Sequence, residues 1–158
     1  EATWQKAVND NMITPIMMIR AVVDGMVARR FGRIVSITSR AVRSPMPDLG
    51  LSTGARAGLT AFVGGIARQV AKHNVTINNL LPGPFETQRT VDGLAKRAAK
   101  AGVPVEQWGA ARRAEVPAGR FGTPEEFGQA CAFLCSAGAG FIVGQNLLID
   151  GGAVNLTM

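Results

Sequence analysis

Tyrosine is absent from this 158-residue sequence, so no phenol is available as a general acid or base. Histidine occurs once, as His73 in "VAKHN", where a cation at a helix end suits a surface role. There are two cysteines, Cys131 and Cys135, one helical turn apart in "FGQACAFLC". Two thiols without a third or fourth ligand make a poor zinc site, and a disulfide across one turn fits the geometry badly. Buried free thiols in a reducing cytoplasm are expected. No apolar run approaches the roughly 20 residues of a bilayer span, so a soluble protein with no membrane partner is expected. No signal-peptide pattern is present, and the first residue is Glu1 rather than Met. The chain is therefore expected to start inside a longer gene product or to be processed.

Aromatic residues make up 6% of the sequence, and none interleaves with the basic residues as single-strand nucleic acid would require. The net charge of +6 is scattered, with its densest group at Lys96, Arg97, Lys100, Arg112 and Arg113. This balance favours a basic face that attracts an anionic cofactor or substrate, and no nucleic-acid partner is expected. A composition of 47% hydrophobic and 18% charged residues describes one globular domain with a sizeable core.

Apolar residues recur at helical spacing over residues 3–30, from Val8 and Met12 to Met26 and Val27. "GRIVSITS" predicts a strand over Arg33–Thr38, and "RAVRSPMPDLG" a loop. A second helix is predicted over Ser52–Lys72, with Leu59, Phe62, Val63, Ile66 and Val70 on one face. A strip of small residues, Ala57, Ala61, Gly64 and Gly65, would let another helix approach closely. "VTINNLLPG" and "GQNLLIDGG" predict two more strands, and residues 88–118 one or two amphipathic helices broken at "AGVPVEQ". "TPEEFGQACAFLCS" starts a helix with a threonine cap, a proline and two carboxylates.

Strands alternating with helices predict right-handed crossovers and a parallel α/β sheet. Three strands make a thin sheet, whose first member would leave an apolar edge unpaired. The sequence contains no G-x-G-x-x-G turn after a strand, the usual cradle for dinucleotide phosphates.

Taken in order, "GRIVSITS", "STGARAGLTAFVGGIAR", "VTINNLLPGPFET", "GRFGTPEEFGQACAFLCS" and "GQNLLIDGG" resemble the short-chain dehydrogenase/reductase family. The likeness is strongest to enzymes of the 3-oxoacyl-carrier-protein-reductase type. It implies a Rossmann-type parallel sheet with helices on both faces. Residues 1–158 would be the C-terminal portion of one such domain, with the N-terminal nucleotide-binding half missing from this chain. Residues 88–118 would form a substrate loop or lid.

The resemblance assigns roles position by position. Ser39 matches the serine that hydrogen-bonds the substrate oxygen; the other reading is a serine that bonds its own loop. Asn11 matches the asparagine whose main-chain carbonyl holds a relay water. Independently of the family, Pro15 lies four residues on and lacks an N–H, so that carbonyl loses its helical partner. Pro82, Gly83 and Thr87 in "PGPFET" match the segment around the nicotinamide, the other reading being a plain strand-ending turn. Asn78 and the Asp150, Gly151, Gly152 turn are expected to be structural, the latter also a subunit contact, and Arg120 to pair across an interface. Arg40 and Arg43 could meet an anionic substrate or belong to a solvated loop.

One departure is chemical. Ser52 stands thirteen residues after Ser39, where the family has its tyrosine, and Arg56 stands at its lysine. A phenol near pKa 10 can be tuned by a cation, whereas an aliphatic hydroxyl cannot be tuned so far. Arginine keeps its charge and can orient a ribose or an anion, but it cannot shuttle a proton. Dehalogenase-like relatives also use arginine there but keep the tyrosine.

The function this implies is NAD- or NADP-dependent oxidoreduction of a carbonyl or alcohol by a homodimer or homotetramer, with an atypical proton-donor site. Two alternatives stay open: a non-redox enzyme of lyase or dehalogenase type, and a non-catalytic subunit.

Overall fold

Strand β2 (Val75–Pro82) is buried at every position from Val75 to Leu81, so it needs cover on both faces and partners on both edges. It is the centre of a three-stranded parallel sheet in the order β1-β2-β3, with β1 at Gly32–Ile37 and β3 at Asn146–Ile149. Ile34 lies opposite Ile77, and Leu81 opposite Leu148. The near-continuous apolar run of β2 is what a parallel strand covered on two faces demands. The computed structural model describes residues 1–155.

One face of the sheet is covered by the first long helix and by α3 (Gly50–Val70). Ile19, Val23, Leu59, Val63, Ala67 and Val70 meet Val75 and Ile77 in one core. Alternation along β2 turns its intervening residues to the other face, where α6 (Pro124–Cys135) packs against β1 and β2. Helix α6 starts as its sequence predicts. The Thr123 hydroxyl accepts from Glu126 N–H at 3.2 Å, and the Glu126 carboxylate accepts from Thr123 N–H at 2.8 Å. Among the described residues β1 pairs only with β2, so its outer edge is free, as expected of the first strand. Helices α4 (Gln88–Ala101) and α5 (Val105–Ala114) divide residues 88–118 at Gly102, whose φ of +69° ends α4.

Two expectations need correction. The first helix is continuous from α1 (Ala2–Val8) through a π turn at Asn9–Ile13 into α2 (Thr14–Ala28). This stretch is long and apolar enough to cross a membrane by length and composition, with a mean hydropathy of 1.3 over its best window. Isolated charges at its polar positions hide that average from a search for unbroken apolar runs. The stretch also gives Ile19 and Val23 to the core, which accounts for part of its apolar side.

The small-residue strip, expected to join the first helix in a subunit interface, stays uncovered within this chain. A Cβ on Gly64 or Gly65 would meet nothing within 4 Å, so no helix of this chain lies there. The first helix crosses α3 about two to three turns earlier. There a Cβ on Gly58 would meet Met12 Sδ at 2.7 Å, and one on Gly54 would meet the Trp4 ring at 3.5 Å.

The second correction is that the thiols are not buried: Cys135 is exposed and Cys131 half-exposed, because α6 buries only Leu134. Within its own chain the Arg120 guanidinium grips the two oxygens of Glu126 at 2.6 and 2.8 Å.

Candidate active site

Strand β1 ends at Ile37, and the chain turns at Ser39 into a short helical turn, Arg40–Val42. The Ser39 oxygen accepts from Ala41 N–H at 3.1 Å, which fixes its rotamer and caps that turn. The bond uses a lone pair and leaves the hydroxyl proton without an acceptor among the described residues. The loop-bonding reading is therefore correct as local structure, and it leaves the serine able to donate.

Helix α3 starts at Gly50, so Ser52 and Arg56 lie one turn apart near its N-terminal end. Arg56 Nε–H donates to Ser52 Oγ at 3.1 Å, while Nη1 donates to the carbonyls of Ile37 and Thr38, both at 2.8 Å. The guanidinium thereby ties the first turns of α3 to the end of β1. Burial, and then the neighbouring Arg89, lower the Arg56 pKa below its ordinary range. The two Nη2 hydrogens have no partner among the described residues. Accepting from a cation polarises the Ser52 hydroxyl as a donor, and its proton is unengaged too.

The disturbance expected at Asn11 takes the form of a π turn. Thr14 N–H reaches back to the Asn9 carbonyl, the wider spacing of a π turn. Asn11 sits inside this turn, and its side-chain amide donates to the Ala7 carbonyl at 3.0 Å. The imino nitrogen of Pro15 cannot bond the Asn11 carbonyl, as the sequence requires.

Beyond β2 the structure separates three residues that the sequence grouped. Pro82 closes the strand, and Gly83 N–H donates to the Ile149 carbonyl at 2.8 Å. A Cβ on Gly83 would lie 2.6 Å from Asp150 Cα, so the glycine is required by the end of β3 whatever binds nearby. Thr87 is the N-cap of α4 and is exposed. Thr90 gives its hydroxyl proton to the Phe85 carbonyl at 2.7 Å, so in the 3.0 Å hydroxyl pair Thr87 is the donor. Thr87 also accepts from Thr90 N–H at 3.3 Å. One lone pair remains, able to accept a single hydrogen bond from an amide such as a carboxamide N–H.

Asn78 and the Asp150 turn have the structural roles within the chain that the sequence predicts. Buried Asn78 accepts from Gln145 N–H at 2.9 Å and donates to the Ile142 carbonyl at 2.8 Å, pinning the approach to β3. The Asp150 carboxylate accepts from Gly152 and Val154 N–H, with Gly151 and Gly152 at φ of +64° and +85°.

A family model described as "Enoyl-(Acyl carrier protein) reductase" matches residues 1–154. The chain belongs to the short-chain dehydrogenase/reductase family. It is 34% identical over 154 residues to the 3-oxoacyl-[acyl-carrier-protein] reductase FabG of Vibrio cholerae serotype O1, which covers 96% of this chain and 58% of that protein. It is similar in structure to the L-sorbose reductase of Gluconobacter frateurii complexed with NADPH and L-sorbose. The TM-score is 0.91 at 26% identity, over 99% of this chain and 60% of that one. A 3-oxoacyl-(acyl-carrier-protein) reductase of Agrobacterium tumefaciens C58 with NADP bound matches with a TM-score of 0.77 at 31% identity, over 89% and 52% of the two chains. This short-chain dehydrogenase/reductase chain thus spans a little under three fifths of the length of these relatives, and its three strands form a Rossmann-type parallel sheet.

Among the predicted residues, Ser52 and Arg56 are bonded to each other, and Arg56 reaches the strand end that leads into Ser39. Sequence reasoning missed Arg89 and Thr90, which line a cavity of about 420 Å³ with Arg40, Gly83 and Pro84. A signal was present: Arg89, Gly93 and Arg97 recur every fourth residue and share one face of α4.

Proposed function

We propose that this chain carries the catalytic residues of an NAD(P)-dependent reductase acting on a carbonyl compound, with a serine–arginine pair in place of tyrosine and lysine. The observation that carries the reading is the contact between Arg56 and Ser52 at the end of β1, beside a Ser39 whose proton is unengaged. Ser39 donates to the substrate oxygen. Ser52, polarised by Arg56, relays a proton through a water held at the Asn11 carbonyl. A lone aliphatic hydroxyl is too weak an acid to release its own proton near neutral pH, so the relay passes a proton without holding an anion.

The residues present fit a nicotinamide cofactor. Thr87 has one free lone pair for a carboxamide N–H, and Arg56 has two free N–H groups for ribose hydroxyls. Pro82 and Gly83 border that place, although the glycine is explained by Asp150 alone. When bound, the cofactor supplies the hydride. The two 3-oxoacyl-carrier-protein reductases and the NADPH-bound sorbose reductase support this class of reaction.

Exposed apolar side chains on the first helix, with Met18 at 65% and Met17 at 53%, support assembly as a homodimer or homotetramer. The cap that Ser39 makes with Ala41 favours one rival reading, a non-catalytic subunit in which Ser39 is only structural.

The test is titration of the full-length gene product with NADH and NADPH, followed by cofactor oxidation in the presence of carbonyl compounds. Micromolar binding of one nucleotide and turnover are expected. Absence of binding to both would overturn the redox reading.

A further inference from the structure

The cavity of about 420 Å³ lies between α4, the end of α5 and the loops that follow β1 and β2. Its wall carries four guanidiniums, from Arg40, Arg89, Arg97 and Arg112, against one carboxylate, Glu115. That carboxylate is held by Arg112 at 2.5 Å. Arg40 reaches only Met46 Sδ, at 3.9 Å. Arg89 and Arg97 have no acidic partner and no hydrogen bond among the described residues. With Arg112 paired to Glu115, three cations without an acidic partner among the described residues share one concave wall, which raises the local concentration of anions. The volume suits a small molecule, and Phe85 and Leu94 add apolar wall between the charges.

The cavity also touches the proposed site at two points. Arg40 directly follows Ser39, and Gly83 and Pro84 form part of the lining. Arg89 lies near enough to Arg56 for the two charges to interact.

We propose that the substrate carries a compact oxyanion, a carboxylate or a phosphate monoester, which Arg89 and Arg97 bind in this cavity while Ser39 takes its carbonyl oxygen. The assignment rests on the reductase reading for the carbonyl and on the cavity for the anion. Guanidinium forks pair with both oxyanions in two-point geometry, which a neutral ketone cannot offer. The substrate is then a short oxo acid or a phosphorylated oxo compound with a few apolar carbons.

The test uses the full-length gene product at about 0.2 M salt, where diffuse surface attraction is screened. Acetoacetate, methyl acetoacetate and inorganic phosphate are titrated calorimetrically, and the two oxo compounds are also offered for reduction. Acetoacetate should bind at least roughly tenfold more tightly than its ester, the scale of one charge-assisted contact. The double variant Arg89→Gln/Arg97→Gln should erase that preference and leave the ester's affinity unchanged. Arg20→Gln, on the exposed side of α2, should keep it. Because Arg89 and Arg97 are exposed, the double variant should melt with the parent; the single Arg97→Gln, retaining a reduced preference, gives a second check. Phosphate that displaces acetoacetate and binds more tightly supports the phosphorylated class, and weaker phosphate binding supports the carboxylate class.

Equal affinity for acid and ester would overturn the proposal, as would a preference that survives the double variant. A preference for the acid together with no binding of NADH or NADPH would remove the reductase reading and leave the anion site. Equal oxidation of cofactor with acid and ester, and equal affinity, would do the reverse.

Discussion

The seam between β2 and β3 and the end of β1 are neighbours in one sheet, yet their polar groups are used differently. At the seam, Asn78 pairs both ends of its amide with backbone, and Gly83 and Asp150 interlock without space for a Cβ. At the end of β1, Ser39, Ser52 and Arg56 are oriented by hydrogen bonds that leave two hydroxyl protons and two N–H groups unengaged. The first region is closed within the chain, and the second is fixed in position but still able to donate. Orientation together with free donors distinguishes a reactive arrangement from a structural one.

Exchanging the roles of these regions gives the sharpest tests. Ser39→Ala should lower turnover on a carbonyl substrate by about 10²–10³, the effect of removing a donor to a developing oxyanion. It should cost only about 1 kcal/mol of stability for the lost cap, measured by urea unfolding of the same preparation. Asn78→Ala should show the opposite profile. Two buried backbone groups lose their partners, so stability should fall by about 2–4 kcal/mol, with turnover per folded molecule unchanged. A large drop in turnover at folded Asn78→Ala would erase the distinction between the two regions.

The smallest effect belongs to a third place, the start of α6. The hydrogen bond from Arg120, and then that from Thr123 N–H, hold the Glu126 carboxyl at about 2 instead of 4.5. Because the folded value is the lower one, the stabilisation is complete above 4.5 and is lost as pH falls through about 2. The pair is exposed to solvent and contributes little. Glu126→Gln should therefore lower the melting temperature slightly at neutral pH and flatten its decline in acid, as followed by circular dichroism.

Much of the fold was legible because strands and helices here follow their ordinary periods. "GRIVSI", "VTINNLLP" and "NLLI" became strands, and the Thr123–Pro124 start produced the expected cap. The pairing of Ser52 with Arg56 was readable from one turn of helical spacing. Three features were not. Small residues mark where a helix can approach, not which neighbour arrives, and the crossing within this chain falls at Gly54 and Gly58 rather than at Gly64 and Gly65. Pro15 announced a lost hydrogen bond, but the helix absorbed it by widening one turn earlier, around Asn9–Ile13. The arginine wall needs two helices and two loops to converge, and no spacing within one element encodes that convergence. Only its α4 face, with Arg89 and Arg97, left a local trace.

The interlock of Gly83 with Asp150 makes the loop after β2 and the turn after β3 a single splice point. A segment exchanged between relatives to alter substrate choice has to join after Gly83, because a junction before it would break the register of β3 as well. Pro84, Phe85 and Glu86 stay with the scaffold, because they bridge to Gly122, and the helices from Gln88 to Ala114 can then be replaced as one cassette.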